Sequence, residues 1–150
     1  MKQIILLDSA PLGMVTNPKQ TVENESCRLW LRNLLSQGVE VIIPEITDYE
    51  VRRELLRARK LKGIKRLNAL KRTLTYLQID TETMLKAAEF WSRARQMGKP
   101  TASNDALDGD VILSAQAALL QNANNQVIVA TTNVKHLSLF VDAKEWKLIK

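Results

Sequence analysis

The sequence is short of several things, and each shortage narrows what the protein can be. Cys27 is the single cysteine, so no internal disulfide can form and a reducing cytoplasm is the expected setting. His136 is the single histidine, which leaves no His/Cys cluster of the kind zinc takes. No apolar run comes near the ~20 residues that cross a bilayer, so no membrane association is expected. Only Ile4-Ile5-Leu6-Leu7 stands between the polar start and Asp8, too short a core for a signal peptide. A Gly-rich phosphate loop of the G-x-x-x-x-G-K-[ST] kind is also missing. No linker, repeat or low-complexity segment breaks the 150 residues. One domain is expected over 1–150, long enough to bury roughly two thirds of its unfolded surface.

Positive charge, by contrast, is abundant and concentrated. Between Val51 and Arg72 stand Arg52, Arg53, Arg57, Arg59, Lys60, Lys62, Lys65, Arg66, Lys71 and Arg72 against Glu54 alone, a net +9 within a chain of +6. A surface of that density favours a polyanion through phosphate neutralisation and counterion release. A well-solvated helix face explains a charge run alone about as well.

Strand and helix patterns alternate along the chain. Ile4 to Leu7 read as a strand buried on both faces. Pro11 to Pro18, with Gly13 and Asn17, read as a loop, and a helix follows from Thr21 to Gln37 with Gly38 closing it. Val39 to Ile43 form a β-branched strand stopped by Pro44. Thr47 or Asp48 would cap a helix running through Glu50 and Glu54, broken at Lys62-Gly63. Ile64, Leu67, Leu70, Leu74 and Leu77 then make one apolar helical stripe. Tyr76 to Ile79 suggest a short strand, and Asp80 or Thr81 opens a helix that ends near Gly98. Lys99 to Gly109 read as loop, Asp110 to Gln121 as an alanine-rich helix, Gln126 to Ala130 as a buried strand, and Trp146 to Ile149 as the last strand. Such alternation implies an α/β fold around a mainly parallel sheet.

In a parallel sheet the strands' carboxyl ends share one edge, where ligands bind. Asp8 ends the first strand, Asn133 follows a later one, and Glu50 lies early in the helix after the second; Asp110 joins them if its helix starts at that edge. Singly, Asp108 or Asp110 is explained as a helix cap or first-turn acid, Glu50 as a partner of Arg53 or Arg57, and Asn133 as a turn residue. Asp8 has no local partner of that sort. Carboxylates brought together repel unless a cation lies among them. Oxygen ligands alone select Mg²⁺ or Mn²⁺, and beside a strongly basic surface that chemistry suits phosphodiester cleavage.

Four blocks occur in order: Ile4-Ile5-Leu6-Leu7-Asp8-Ser9, Ile46-Thr47-Asp48-Tyr49-Glu50-Val51, Asp110-Val111-Ile112-Leu113-Ser114-Ala115-Gln116-Ala117, and Val129-Ala130-Thr131-Thr132-Asn133-Val134-Lys135-His136-Leu137. Together they resemble the PIN-domain nucleases, which include the VapC-type toxins of bacterial toxin–antitoxin modules. The resemblance implies a single PIN-like domain: a parallel sheet of about five strands with helices on both sides, and Mg²⁺- or Mn²⁺-dependent endoribonuclease activity. It also implies Asp8, Glu50 and Asp110 as catalytic acids, Asp8 and Asp110 holding the metal, and Asp108, Thr131 and Asn133 in support. Arg52, Arg53, Arg57, Arg59, Lys60, Lys62, Lys65 and Arg66 would then grip the RNA. For a toxin, a homodimer and a cognate antitoxin are implied partners, the antitoxin covering the site. The chain departs from the family pattern at Ala10, where a polar residue is usual, and Asn133 brings no charge, so one firmly held ion is expected. The alternative is a catalytically weakened module of the same fold that binds RNA or a protein. His136, Cys27 and the three tryptophans are expected to be structural, and Glu54 to pair with nearby arginines.

Overall fold

A run of four branched side chains can be buried on both faces only if each face has its own layer of helices. The computed structural model, which describes residues 1–98 and 104–150, shows that arrangement. Strand β1 (Lys2–Leu7) lies at the centre of an all-parallel sheet with β2 (Glu40–Pro44) on one side and β4 (Asn125–Thr131) on the other. Two short strands, β3 (Thr75–Leu77) and β5 (Ala143–Glu145), close the edges in the order β3-β2-β1-β4-β5. Leu6 is in register with Ile42 and Val129, and Leu7 with Ala130.

Side chains alternate across the sheet. Ile5, Leu7, Val41, Ile43 and Ile128 point into a core completed by helices α1 (Ser9–Thr16), α2 (Val22–Ser36), α3 (Glu45–Arg57) and α4 (Leu61–Thr73). Ile4, Leu6, Ile42, Val127 and Val129 point to the other face, covered by α6 (Asn104–Leu120) and the short α7 (Val134–Leu137). Helix α5 (Thr81–Gln96) packs on α6 through Ala87, Phe90, Ala94, Val111 and Ala115. Asp80 caps it, its carboxylate accepting from the Thr83 amide at 2.8 Å. None of the helices in the described residues is long and apolar enough to cross a membrane.

The observed boundaries overturn several expectations. Pro11 to Pro18 is not a loop: α1 runs from Ser9 to Thr16. Pro11 is the third residue of that helix, where the first-turn amides have no intrahelical acceptor to lose. Neither Thr47 nor Asp48 caps α3, which starts after Pro44. The break between α3 and α4 falls at Ala58–Lys60, with Arg59 in the left-handed region at φ 57°. Gly63 sits inside α4 instead, where a Cβ would lie 2.9 Å from a Leu55 methyl, so its missing side chain brings the two helices together. The apolar stripe of α4 is spent on the core, with Leu67 and Leu74 buried and Leu70 packed against them. The third strand is Thr75–Leu77, starting and ending earlier than expected. The last strand ends at Glu145, and Trp146–Leu148 form a 3-10 turn. Trp146 is buried there edge-on to Trp30, whose indole nitrogen donates to the Ile149 carbonyl at 2.9 Å. The loop expected over Lys99–Gly109 lies partly outside the described residues, and from Asn104 onward it is already helix.

Candidate active site

The carboxyl end of β1 delivers Asp8 to the sheet edge as the cap of α1. Its Oδ1 accepts from the Ser9 amide at 2.7 Å and its Oδ2 from the Thr131 hydroxyl at 2.7 Å. Thr131 is fully buried at the end of β4, and its Oγ1 in turn accepts from the Asn133 amide at 2.8 Å. Strand β4 therefore holds Asp8 by backbone as well as side chain: the Asp8 amide donates to the Ala130 carbonyl at 2.9 Å. Burial raises the Asp8 carboxyl above its ordinary value, and the Thr131 and Ser9 hydrogen bonds partly offset this.

Helices α3 and α6 bring the other two acids. Glu50 is half-buried and its carboxyl is raised, first by burial, then by the Asp8 charge, with Arg53 pulling the other way. Asp110 is pushed up to about 7, again by burial first and then by the Asp8 and Glu50 charges. The three acids thus act on one another, as the sequence pattern suggests. Because α6 begins at Asn104, Asp110 lies well inside the helix, and the cap or first-turn role is removed. One of its oxygens, Oδ2, is buried with no hydrogen-bond donor; His136 Nδ1 lies 3.7 Å from it.

The supporting residues divide. Thr131 holds Asp8. Asn133 lies at the start of α7 with its side-chain nitrogen 2.9 Å from His136 Nδ1. His136, expected to be structural, thus lies between Asn133 and Asp110, its Nδ1 3.7 Å from Asp110 Oδ2. The Asn133-x-x-His136 spacing, which sets both on one side of a helical turn, is the available signal. Asp108 goes elsewhere. It is exposed and lines a groove of about 600 Å³ between α5 and α6, with Met84, Ala88, Trp91, Arg95 and Ile112. Residues two apart on a helix diverge by roughly 200°, so Asp108 and Asp110 cannot serve one centre from an unbroken helix.

The basic residues also separate. Arg52 turns inward: its Nε and Nη2 lie 3.1 and 3.0 Å from buried Asp48 Oδ1, and its Nη1 donates to Asn68 at 2.8 Å. Arg53 is exposed with its guanidinium 5.0 Å from the centre of the Tyr49 ring. Arg57 pairs with Glu54 at 2.8 Å, which gives Glu54 the role expected for it. Arg59, Lys60, Lys62, Lys65 and Arg66 are exposed around the α3–α4 turn. Cys27 is buried under α1, its thiol pushed up to about 12 by burial, and behaves as a small apolar residue.

A carboxylate oxygen buried without a donor, beside two further acids, is costly unless a cation pairs with it. All three acids offer oxygen, the donor type for Mg²⁺ or Mn²⁺, so the residues present fit such an ion. As they stand, no three Asp, Glu, His or Cys side chains among the described residues are gathered so as to hold a metal ion.

No family model matches the sequence, and no curated protein matches it. Solved structures do. VapBC2 from Rickettsia felis, bound to a DNA fragment from its promoter, matches with TM-score 0.71 and 14% identity over 94% of this chain and 97% of that one. VapBC-1 from nontypeable Haemophilus influenzae matches with TM-score 0.68 and 16% identity, covering 96% and 98%. FitAcB from Neisseria gonorrhoeae matches with TM-score 0.65 and 23% identity, covering 97% and 99%. The fold is PIN-like over essentially the whole chain.

Proposed function

We propose that this PIN-like chain is a Mg²⁺- or Mn²⁺-dependent endoribonuclease and serves as the toxin of a toxin–antitoxin pair. The observation that carries the reading is the buried, donorless Asp110 Oδ2 beside Asp8 and Glu50. Asp8 and Asp110 would hold one ion, with Glu50 the third acid of the centre. Thr131 keeps Asp8 in a single orientation through its 2.7 Å hydrogen bond. When bound, the cation supplies the Lewis acidity and charge neutralisation that phosphodiester hydrolysis needs. Exposed Arg53, Arg57, Arg59, Lys60, Lys62, Lys65 and Arg66 would grip the RNA backbone. Arg52, held by Asp48 and Asn68, is left out of that grip.

The similar structures are VapBC and FitAcB complexes, two of them bound to DNA, which supports a cognate antitoxin as partner; a homodimer is the assembly we expect. RNA cleavage by the purified chain is expected to fall by at least roughly 10²-fold in Asp8→Asn and Asp110→Asn and on chelation with EDTA. RNA binding should survive all three. Undiminished cleavage in both variants sinks the proposal.

A catalytically weakened binding module is the second reading. Ala10 and the Asn133 side-chain amide, engaged with His136 rather than offering a charge, favour it. Titration with Mn²⁺ separates the two readings, since a binding module needs no ion.

A further inference from the structure

Glycine inside a helix costs stability relative to alanine, yet α6 carries Gly109 immediately before Asp110. The space beside it shows why. A Cβ built at position 109 would lie 2.5 Å from Glu50 Oε2 and 3.4 Å from Glu50 Cδ. Cβ atoms do not approach oxygen that closely, so any side chain at this position would push the Glu50 carboxylate away. Helix α3 supplies that carboxylate, which lies in the gap α6 leaves at position 109 and acts on Asp110 there.

We infer that Gly109 is a positioning residue for the cation centre, an absent side chain that sets how far Glu50 reaches toward Asp110. The inference rests on the metal-binding part of the function proposed above. Gly109 touches no reacting atom and acts through Glu50 alone. Stability and metal binding should therefore respond with opposite signs. Gly109→Ala improves the intrinsic helix preference of α6 and displaces Glu50, so it should leave the metal-free chain at least as stable while weakening the ion's site.

The test is a titration with Mn²⁺ alone, followed by electron paramagnetic resonance of the free ion, on the full chain and three variants: Gly109→Ala, Glu50→Asp and the double variant. Thermal melting of each is measured without metal. Gly109→Ala is expected to bind Mn²⁺ about tenfold more weakly with an unchanged or higher melting temperature. Glu50→Asp withdraws the carboxylate by one methylene, so adding Gly109→Ala to it should cost nothing more, and the double variant should bind like Glu50→Asp alone. Binding by Gly109→Ala within twofold of the parent overturns the inference, as does an additive loss in the double variant. Should Gly109→Ala melt low, recovery of the Glu50→Asp melting temperature in the double variant still supports the steric link, and an equal drop in both overturns it. A parent chain that binds no Mn²⁺ overturns the metal reading itself, and the inference with it.

Discussion

Asp48 and Glu50 leave helix α3 two residues apart and enter opposite surroundings. Asp48 is buried between α3, α4 and β3, where it accepts from Arg52 at 3.1 Å and from the Tyr76 hydroxyl at 2.6 Å. Every charge there has a counter-charge or a donor. The phenol of Tyr76 is itself pushed well above its ordinary range, first by burial and then by its bond to Asp48, so it stays a hydrogen-bond donor. Glu50 meets the Asp8 and Asp110 carboxylates instead, with exposed Arg53 as the opposing charge. The first centre is complete within the chain and fastens the helix. The second is built with an electrostatic deficit, which is what a site for a cation requires.

If that contrast holds, the same chemical change should act with opposite sign at the two places. Asp110 carries the larger effect. Its carboxyl lies at about 7 in the folded chain against 3.8 ordinarily, so the folded state keeps its proton to higher pH than the unfolded state. The penalty is absent below pH 4, grows as pH rises toward 7 and is complete above it. At about 1.4 kcal/mol per pKa unit, Asp110→Asn should stabilise the metal-free protein at pH 8 by up to ~4 kcal/mol. It should also flatten the fall in melting temperature between pH 5 and pH 8. A melting curve at pH 8 that moves down would break the comparison.

Asp48→Ala should do the reverse, destabilising by about 3 kcal/mol at every pH in that range, because it strands a partly buried Arg52 and the Tyr76 hydroxyl. Urea unfolding measures this directly, and a neutral outcome would mean that Asp48 is no anchor. Smallest is Tyr76→Phe, expected to cost about 1 kcal/mol for one hydrogen bond to a charged acceptor partly replaced by water. Its effect should shrink to nothing in an Asp48→Ala background, as a double-mutant cycle will show.

The second centre is more legible in the sequence than the first. Asp8 stands out because four branched residues precede it and nothing nearby can pair with it. The central strands and α2 are legible for the same reason, being long or strongly patterned. Asp48 reads as a cap because its partners, Arg52 aside, come from elements whose packing no local pattern encodes, Tyr76 among them. Helix α1 is hidden because proline and glycine signal loops in general, while a first-turn proline is harmless. Asp108 groups with Asp110 only as long as α6 is taken to start at the latter; six residues of earlier helix turn the two acids to different sides. Gly109 carries no signal at all, since its reason is an atom of Glu50, fifty-nine positions away in the chain.

The bond between Asp8 and Thr131 spans 123 positions, and that separation bears on synthesis. Asp8 is made well before the residue that orients it. Asp8, Glu50 and Asp110 all precede β4, which pairs with β1 and brings Thr131 to the first of them. The orientation of the first acid therefore waits on the strand that carries Thr131, which is made after all three acids.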